Sequence, residues 1–139
     1  MPYQVLMVED NPHEVELLRE ALGVVADDIV VRSVQNAREA LAYLGQAPPF
    51  EQAGKPALIL LDLMLPGMSG LQVLGIIRTT PGWSSIPAVI FTAVDREGDR
   101  IESRRLGATT YKVKPQTFDG YVSFARSVGY FLRNGAATM

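Results

Sequence analysis

Short apolar segments alternate with longer amphipathic segments along this chain, and that alternation limits the folds open to it. The predicted strands are residues 3–8, 29–34, 57–62, 87–92 and 109–113. Each is followed by a stretch whose apolar residues have helical spacing. This order is typical of a parallel sheet whose crossover helices cover both faces. We therefore predict an α/β, doubly wound fold with a five-stranded parallel sheet and five helices, (βα)5.

The predicted helices differ in how strongly the sequence marks them. Asn11 and Asn36 are suited to cap the first two helices. The fourth helix, residues 97–106, is weakly amphipathic, and Ile101 and Leu106 are its predicted core residues. A poorly anchored and movable fourth helix is therefore expected.

The last predicted helix, residues 118–132, has more apolar residues than one face of a helix needs. Its predicted core stripe is Phe118, Tyr121, Val122, Ala125, Val128 and Leu132. Phe124 and Phe131 lie beside that stripe, and an aromatic flank of this kind often pairs with another chain. We predict a homodimer with Phe124 and Phe131 as contacts, and a broad buried face is the alternative.

The composition excludes several classes of function. The 139 residues suit one domain, predicted over residues 1–133 with a short tail over 134–139 and no output domain. A net charge of −2 provides no basic field for nucleic acid. Cysteine is absent and His13 is the single histidine, which argues against thiolate chemistry and zinc. Without a membrane span or a signal-peptide pattern, the chain is predicted to be cytoplasmic.

Polar side chains stand where four of the predicted strands end. They are Glu9 and Asp10, Asp62, Thr92 and Lys114. The carboxyl ends of parallel strands form one edge, where doubly wound sheets bind their ligands. Three carboxylates there would repel one another without a cation, and oxygen ligands suit Mg²⁺. Asp62 would then be a nucleophile toward a phosphoryl group, with Thr92 and Lys114 binding its oxygens.

Each of these residues has a structural interpretation when it is taken alone. Asp62 could cap a turn, and Thr92 could be an ordinary β-branched strand residue. Lys114 could be a solvated surface charge, and Tyr111 could be a core aromatic. The joint occurrence of the polar groups favours the functional interpretation.

Two other function classes share parts of this pattern. A nucleotide-binding domain would need glycines or hydroxyls after the first strand to hold phosphate, where Glu9 and Asp10 stand. A phosphatase with an aspartyl nucleophile would place a second acid two residues after Asp62, where Met64 stands. Neither pattern is met.

Four sequence blocks together resemble the receiver domain of response regulators in two-component signalling. They are Glu9-Asp10, Asp62-Leu63-Met64-Leu65-Pro66-Gly67-Met68-Ser69-Gly70, Thr92-Ala93 and Tyr111-Lys112-Val113-Lys114-Pro115. The resemblance covers nearly the whole chain. It implies a flavodoxin-like fold, a Mg²⁺ cofactor and a phosphoryl group received from a histidine kinase.

The resemblance also implies a role for each site residue. Asp62 would be the phosphoacceptor. The metal ligands would be Asp10, Asp62, the Met64 backbone carbonyl and, through water, Glu9. Lys114 and Thr92 would contact the phosphoryl oxygens, Ala93 would leave access, Thr92 and Tyr111 would form the switch, and Pro115 would follow a cis peptide bond.

Further features suggest a subtype. The proline-bearing loop 45–56 and the run 58–65 are similar to those of single-domain response regulators that partner phytochrome-type histidine kinases. The output would be a changed contact with a downstream protein. Met64 and Val94 are apolar where many receivers carry polar groups, which predicts slow self-dephosphorylation. A pseudo-receiver that binds proteins without phosphorylation is the alternative.

Overall fold

Strands and helices alternate along residues 2–135, which are the residues that the computed structural model describes. The strands are β1 (Tyr3–Val8), β2 (Ile29–Val34), β3 (Leu58–Leu61), β4 (Ala88–Thr92) and β5 (Thr110–Val113). The helices are α1 (Pro12–Val25), α2 (Ala37–Leu44), α3 (Gly70–Thr79), α4 (Glu97–Leu106) and α5 (Phe118–Asn134). The predicted order is confirmed. Helix α5 includes Asn134, which was predicted to belong to the tail, and residues 136–139 of that tail lie outside the described residues.

The strands form one parallel sheet in the order β2-β1-β3-β4-β5. Val5 of β1 is opposite Val31 of β2 on one side and Leu58 of β3 on the other. The chain runs from β1 outward to β2 and then returns to β3 on the opposite side, so the strand order reverses at β1. The carboxyl ends of β1 and β3 therefore form the crevice in which doubly wound sheets bind ligands.

Alternate side chains of the central strands enter two separate cores. Leu6 and Ile59 pack on the face covered by α2 and α3. Val5 and Leu58 pack on the opposite face against α1 and α5. Because β3 is buried on both faces, its sequence is an unbroken apolar run. Within residues 2–135 none of the helices combines the length and apolar character that a membrane span requires.

Side-chain caps fix where most of the helices begin. Asn11 and Asn36 accept backbone N–H groups in the first turns of α1 and α2, as predicted. Ser69 and Gln72 form a capping box at the start of α3. Helix α4 differs, because no side-chain hydrogen bond caps its first turn.

The prediction for α5 was wrong about the aromatic flank. Phe124 and Phe131 are buried core residues with 7% and 4% of their surfaces exposed, whereas Phe118 is 41% exposed. The Phe124 ring stacks on Phe91 of β4 with a centroid separation of 4.3 Å. Helix α5 packs against α1 as well as the sheet, so its buried face is broader than the predicted stripe. Phe124 and Phe131 are therefore not available as dimer contacts.

The prediction for α4 was right in its bounds and wrong about one core residue. Ile101 is 56% exposed, and within α4 the fully buried side chain is that of Ser103. The helix ends at Gly107, which has φ +100° and closes its last turn. Leu106 packs partly buried against the core on the α2 and α3 face, so the hydrophobic contribution of α4 comes mainly from that residue.

Candidate functional site

The predicted acidic residues converge where β1 and β3 end. One carboxylate oxygen each from Glu9, Asp10 and Asp62 lies within 4.8 Å of the others. Glu9 and Asp62 are buried, and Asp10 is exposed. Such a set offers hard oxygen ligands with one side open to water, which is what Mg²⁺ needs because it keeps several of its waters. The donor set therefore fits the predicted cation.

Lys114 lies between the two buried carboxylates. Its Nζ donates to Glu9 Oε1 at 2.5 Å and to Asp62 Oδ2 at 3.0 Å. Its backbone N–H donates to the Thr92 carbonyl at 2.7 Å, which extends the β4–β5 pairing to Lys114. The structure thus places Lys114 beside Asp62 at the predicted edge of the sheet, and its bond to Glu9 was not predicted.

The Glu9 carboxyl holds its proton more tightly than an ordinary glutamate. Burial raises the pKa of Glu9 to about 7, although the Lys114 ammonium and the Asn11 N–H oppose the shift. The negative charge of Asp62 adds to the rise. Glu9 is thus the group of this cluster that can change its charge near neutral pH.

The Asp62 carboxylate has the opposite tendency. Burial acts to raise its pKa, but the Met64 N–H, which donates to Asp62 Oδ1 at 3.1 Å, and the Lys114 ammonium outweigh burial, so that the pKa is lowered. The pKa of Lys114 is raised, because its bonds to Glu9 and its attraction to Asp62 outweigh desolvation. Asp62 is therefore ionised at neutral pH, which a nucleophilic carboxylate requires.

Thr92 places a hydroxyl beside this carboxylate. Thr92 is fully buried, and among the described residues its Oγ1 has no partner at hydrogen-bond geometry. The hydroxyl is nevertheless close enough to contribute slightly to the lowered pKa of Asp62. A buried hydroxyl without a partner is costly, so this position is suited to a ligand oxygen. The next residue, Ala93, is small and exposed, and its role in access to the site stays a prediction.

Tyr111 faces inward from β5. Its ring is buried, its hydroxyl donates to the Val94 carbonyl at 2.5 Å, and the Arg100 guanidinium lies 4.6 Å from the ring centroid. Burial raises the pKa of Tyr111, so the hydroxyl keeps its proton and can act as a donor. The predicted switch residue is thus connected to the loop that follows Thr92.

The peptide bond before Pro115 is trans, contrary to the prediction. Within residues 2–135 the cis peptide bond is the one between Pro48 and Pro49. The trans form of a bond before proline is favoured by about 0.5–1 kcal/mol. With the bond between Lys114 and Pro115 in the trans form, the Lys114 side chain reaches both Glu9 and Asp62.

Two glycines shape the site, and the sequence interpretation gave them no role. A Cβ on Gly70 would lie 2.1 Å from the Asp62 carbonyl oxygen, and a Cβ on Gly120 would lie 2.6 Å from Pro115 Cβ. Glycine therefore lets α3 approach Asp62 and lets α5 approach Pro115. A glycine inside a helix costs roughly 0.5–1 kcal/mol relative to alanine, and this cost is the signal that could have identified both positions.

Comparison with known proteins supports the same interpretation. Residues 5–124 match the model of the response regulator receiver domain. The chain is 31% identical over 130 residues to the response regulator Rcp1 of Synechocystis, covering 94% of this chain and 88% of Rcp1.

Solved structures of similar proteins have the same fold. The phosphorylated cyanobacterial phytochrome response regulator RcpA superposes with a TM-score of 0.88 at 30% identity, covering 96% of each chain. The Mn²⁺-bound form of Rcp1 superposes with a TM-score of 0.84 at 31% identity, covering 94% of each chain. With its acidic cluster, its lysine and its flavodoxin-like sheet, this chain belongs to the response regulator receiver family.

Proposed function

We propose that this chain receives a phosphoryl group on Asp62 from a histidine kinase, in a Mg²⁺-dependent reaction, and signals through changed protein contacts. One observation carries the proposal. The ionised Asp62 carboxylate lies 3.0 Å from the Lys114 ammonium and beside the buried, unpartnered Thr92 hydroxyl. A positive charge and a free donor next to a nucleophile are what a transferred phosphoryl group requires.

The transfer needs no general base. An Asp62 oxygen attacks phosphorus, the P–N bond of the kinase phosphohistidine breaks, and the imidazole keeps the electron pair and takes up a proton. Lys114 and the Thr92 hydroxyl bind phosphoryl oxygens. Bound Mg²⁺, held by Asp10, Asp62, the Met64 carbonyl and, through water, Glu9, would supply further positive charge. No other catalytic activity is proposed.

Labelling with radioactive acetyl phosphate tests this function. The wild-type protein is expected to incorporate label with Mg²⁺ and not with EDTA. Asp62→Asn is expected to abolish labelling, because the amide is not a nucleophile, and Asp27→Asn, at an exposed position, is the control. Labelling of Asp62→Asn at the wild-type level would refute the assignment.

We further propose a phytochrome-type histidine kinase as the partner. The support is the similarity to RcpA, which is described as a phytochrome response regulator. Purified phytochrome kinase and a kinase with an unrelated sensor, each carrying labelled phosphohistidine, should be compared as donors. Transfer at equal rates from both would contradict the phytochrome subtype. The proposed kinase partner is also the reason to expect the chain in the cytoplasm.

The phosphoryl group is expected to persist on Asp62. Met64 is 57% exposed beside the site and Val94 is apolar, so neither offers a polar group to orient an attacking water. Loss of label should be followed in buffer with Mg²⁺, and Met64→Asn is expected to accelerate it. Loss from the wild type within seconds would be inconsistent with this proposal.

A homodimer through α5 stays a prediction. With Phe124 and Phe131 buried, the exposed aromatic residues of this helix are Phe118 and Tyr130. Sedimentation at high protein concentration, with and without a phosphoryl mimic, tests it. A monomer under both conditions would refute the dimer.

A further inference from the structure

A cavity of about 430 Å³ lies beside β2, which is an edge strand of the sheet. Loop 45–56, which joins α2 to β3, supplies part of its wall. The polar and aromatic residues that line it are Arg19, Arg32, Ser33, Tyr43, Phe50 and Gln52. None of them belongs to the acidic cluster, and the volume is in the range of small-molecule sites.

Two guanidinium groups line this cavity. Arg19 is held in place, because its Nη2 donates to the Val31 carbonyl at 3.0 Å and its Nη1 donates to Glu16 Oε1 at 2.9 Å. Those bonds leave several of its N–H donors unused. Arg32, which follows Val31, has neither a hydrogen bond nor an ion pair within residues 2–135. Guanidinium groups with unused donors are suited to binding the oxygens of a phosphate group.

Two aromatic rings supply the apolar part of the lining. The rings of Tyr43 and Phe50 contact each other with a centroid separation of 5.3 Å. Tyr43 is buried and Phe50 is half-buried, so part of the Phe50 ring is open to a ligand in the cavity. An open aromatic ring of this kind can stack on the flat face of a base.

Three further polar groups of the lining have unused hydrogen-bonding capacity. The Tyr43 hydroxyl accepts a bond from Gln4 Nε2, and its own proton has no acceptor among the described residues. Burial raises the pKa of Tyr43 although the charge of Arg32 opposes the shift, so the hydroxyl keeps that proton. The Ser33 hydroxyl and the Gln52 amide also have no partner in the described part of the chain. A buried donor without an acceptor is costly, and a bound base or sugar would remove that cost.

We propose that this cavity binds a nucleoside monophosphate. The guanidinium groups of Arg19 and Arg32 bind the phosphate group, and the Phe50 ring stacks on the base. Inorganic phosphate would leave the aromatic part of the cavity unused, and a nucleoside would leave the guanidinium groups unused. The inference is independent of the phosphoacceptor function, because Asp62 takes no part in it.

Equilibrium dialysis against AMP, GMP, CMP and UMP tests the proposal. At least one of these nucleotides is expected to bind the wild-type protein with a Kd of about 1 mM or less. The matching nucleoside and inorganic phosphate are each expected to bind at least about tenfold more weakly, because each lacks part of the contacts. Binding of none of the nucleotides, or equal binding of the nucleoside or of phosphate, would overturn the proposal.

Two variants locate the site. Arg32→Gln is expected to weaken nucleotide binding about tenfold and to leave nucleoside binding unchanged, because a charged donor to the phosphate is lost. Phe50→Leu keeps an apolar side chain without the ring and is expected to weaken nucleotide binding about fivefold.

Arg126→Gln is the matched control for Arg32→Gln. It removes one positive charge from an exposed position on α5, so the net charge changes equally and nucleotide binding should match that of the wild type. An unchanged affinity in Arg32→Gln, or an equal loss in Arg126→Gln, would overturn the proposed site.

Urea unfolding separates loss of the site from loss of the fold. Arg32 is exposed and unpaired within the described residues, so Arg32→Gln should leave the free energy of unfolding unchanged and decides the question even if Phe50→Leu is unstable. In the wild type, the amide NMR signals of Ser33 and Gln52 are expected to shift when nucleotide is added. Shifts confined to the residues around Asp62 would place the nucleotide at the acidic cluster and overturn the proposal.

Discussion

At the scale of single residues, the site contains two buried carboxyl groups whose pKa values are shifted in opposite directions. Burial raises the pKa of Glu9 to about 7, and the Met64 N–H and Lys114 hold that of Asp62 down against burial. Asp62 is therefore ionised at neutral pH, whereas Glu9 can hold a proton there. Lys114 touches both groups, so a change of charge on Glu9 alters how firmly the ammonium is held near Asp62.

Glu9 makes the stability of the metal-free protein depend on pH. Its folded pKa of about 7 lies above the ordinary glutamate value of 4.5, so between these values the folded state keeps a proton that the unfolded chain has lost. The contribution of Glu9 to stability is complete below the lower value and is lost as pH rises toward 7. In urea unfolding measured with EDTA, the free energy of unfolding of Glu9→Gln is expected to decrease less between these two pH values than that of the wild type. An equally steep fall in the variant would exclude Glu9 as its cause.

Replacement of Thr92 is expected to raise stability and to slow labelling. Thr92→Val replaces a buried hydroxyl that has no partner with a methyl group of similar size, so the free energy of unfolding should rise by about 1 kcal/mol. Labelling by acetyl phosphate should become slower, because a donor to the phosphoryl group is lost.

Thr109→Val is the control for Thr92→Val. Thr109 Oγ1 accepts a hydrogen bond from the Ala88 N–H at 3.1 Å, so its replacement should lower stability and leave labelling unchanged. Urea unfolding and labelling rates, measured on both variants, test whether the two hydroxyls differ in this way. A destabilised Thr92→Val would mean that its hydroxyl has a partner in the protein.

At the scale of secondary-structure elements, the link from β5 to α5 sets the position of Lys114. Lys114 leaves β5, Pro115 follows, and Thr117 caps α5 by accepting the Gly120 N–H at 3.0 Å. Gly120 lies against the proline ring, where a Cβ would be 2.6 Å from Pro115 Cβ. The first turn of α5 therefore supports Pro115, the residue that follows Lys114.

Gly120→Ala is expected to lower stability and slow labelling, although alanine favours helix formation more than glycine does. Its methyl group would push the Pro115 ring, and overpacking of this kind costs about 1–3 kcal/mol. Lys114 would move with its neighbour, so labelling should also slow. Gly23→Ala in α1 is the control, because a Cβ there meets nothing within 4 Å, and it should stabilise by roughly 0.5–1 kcal/mol. Similar effects of the two variants on unfolding and labelling would contradict this account.

At the scale of the whole molecule, the site exists only when the sheet is assembled. Glu9 and Lys114 are 105 residues apart in sequence and are joined by one ion pair. The ends of β1, β3, β4 and β5 each contribute a polar group, and no segment of the chain contains the complete set. A cation that binds this cluster must therefore stabilise the folded state over the unfolded one.

Mg²⁺ is expected to raise the melting temperature for this reason. At a concentration 100 times its Kd, a ligand specific to the folded state adds about 2.7 kcal/mol to the free energy of unfolding. Asp10→Asn should remove most of the gain, and Asp27→Asn, an exposed acid outside the cluster, should retain it. Thermal unfolding with Mg²⁺ and with EDTA measures both. An equal gain in Asp10→Asn would place the cation elsewhere.

Features that depend on neighbouring residues could be predicted from the sequence. Apolar runs and capping asparagines marked the strands and the starts of α1 and α2, because strand periodicity and capping are local properties. Once the strands were known to be parallel, Asp62 and Lys114 had to lie at one edge. The acidic pair and the lysine could therefore be placed in one site before any distance was known.

Only the tertiary structure decided how side chains from distant elements meet. Phe124 proved to be core because α5 packs against α1 as well as the sheet, and a helical pattern does not specify which neighbours cover each face. The bond from Lys114 to Glu9 and the stacking of Arg100 on Tyr111 depend on the order β1-β3-β4-β5 and on rotamers selected by packing. Sequence by itself determined which chemical groups this protein brings to the edge of its sheet. The folded chain determined their pairing, because pairing energies arise between residues that are close only in space.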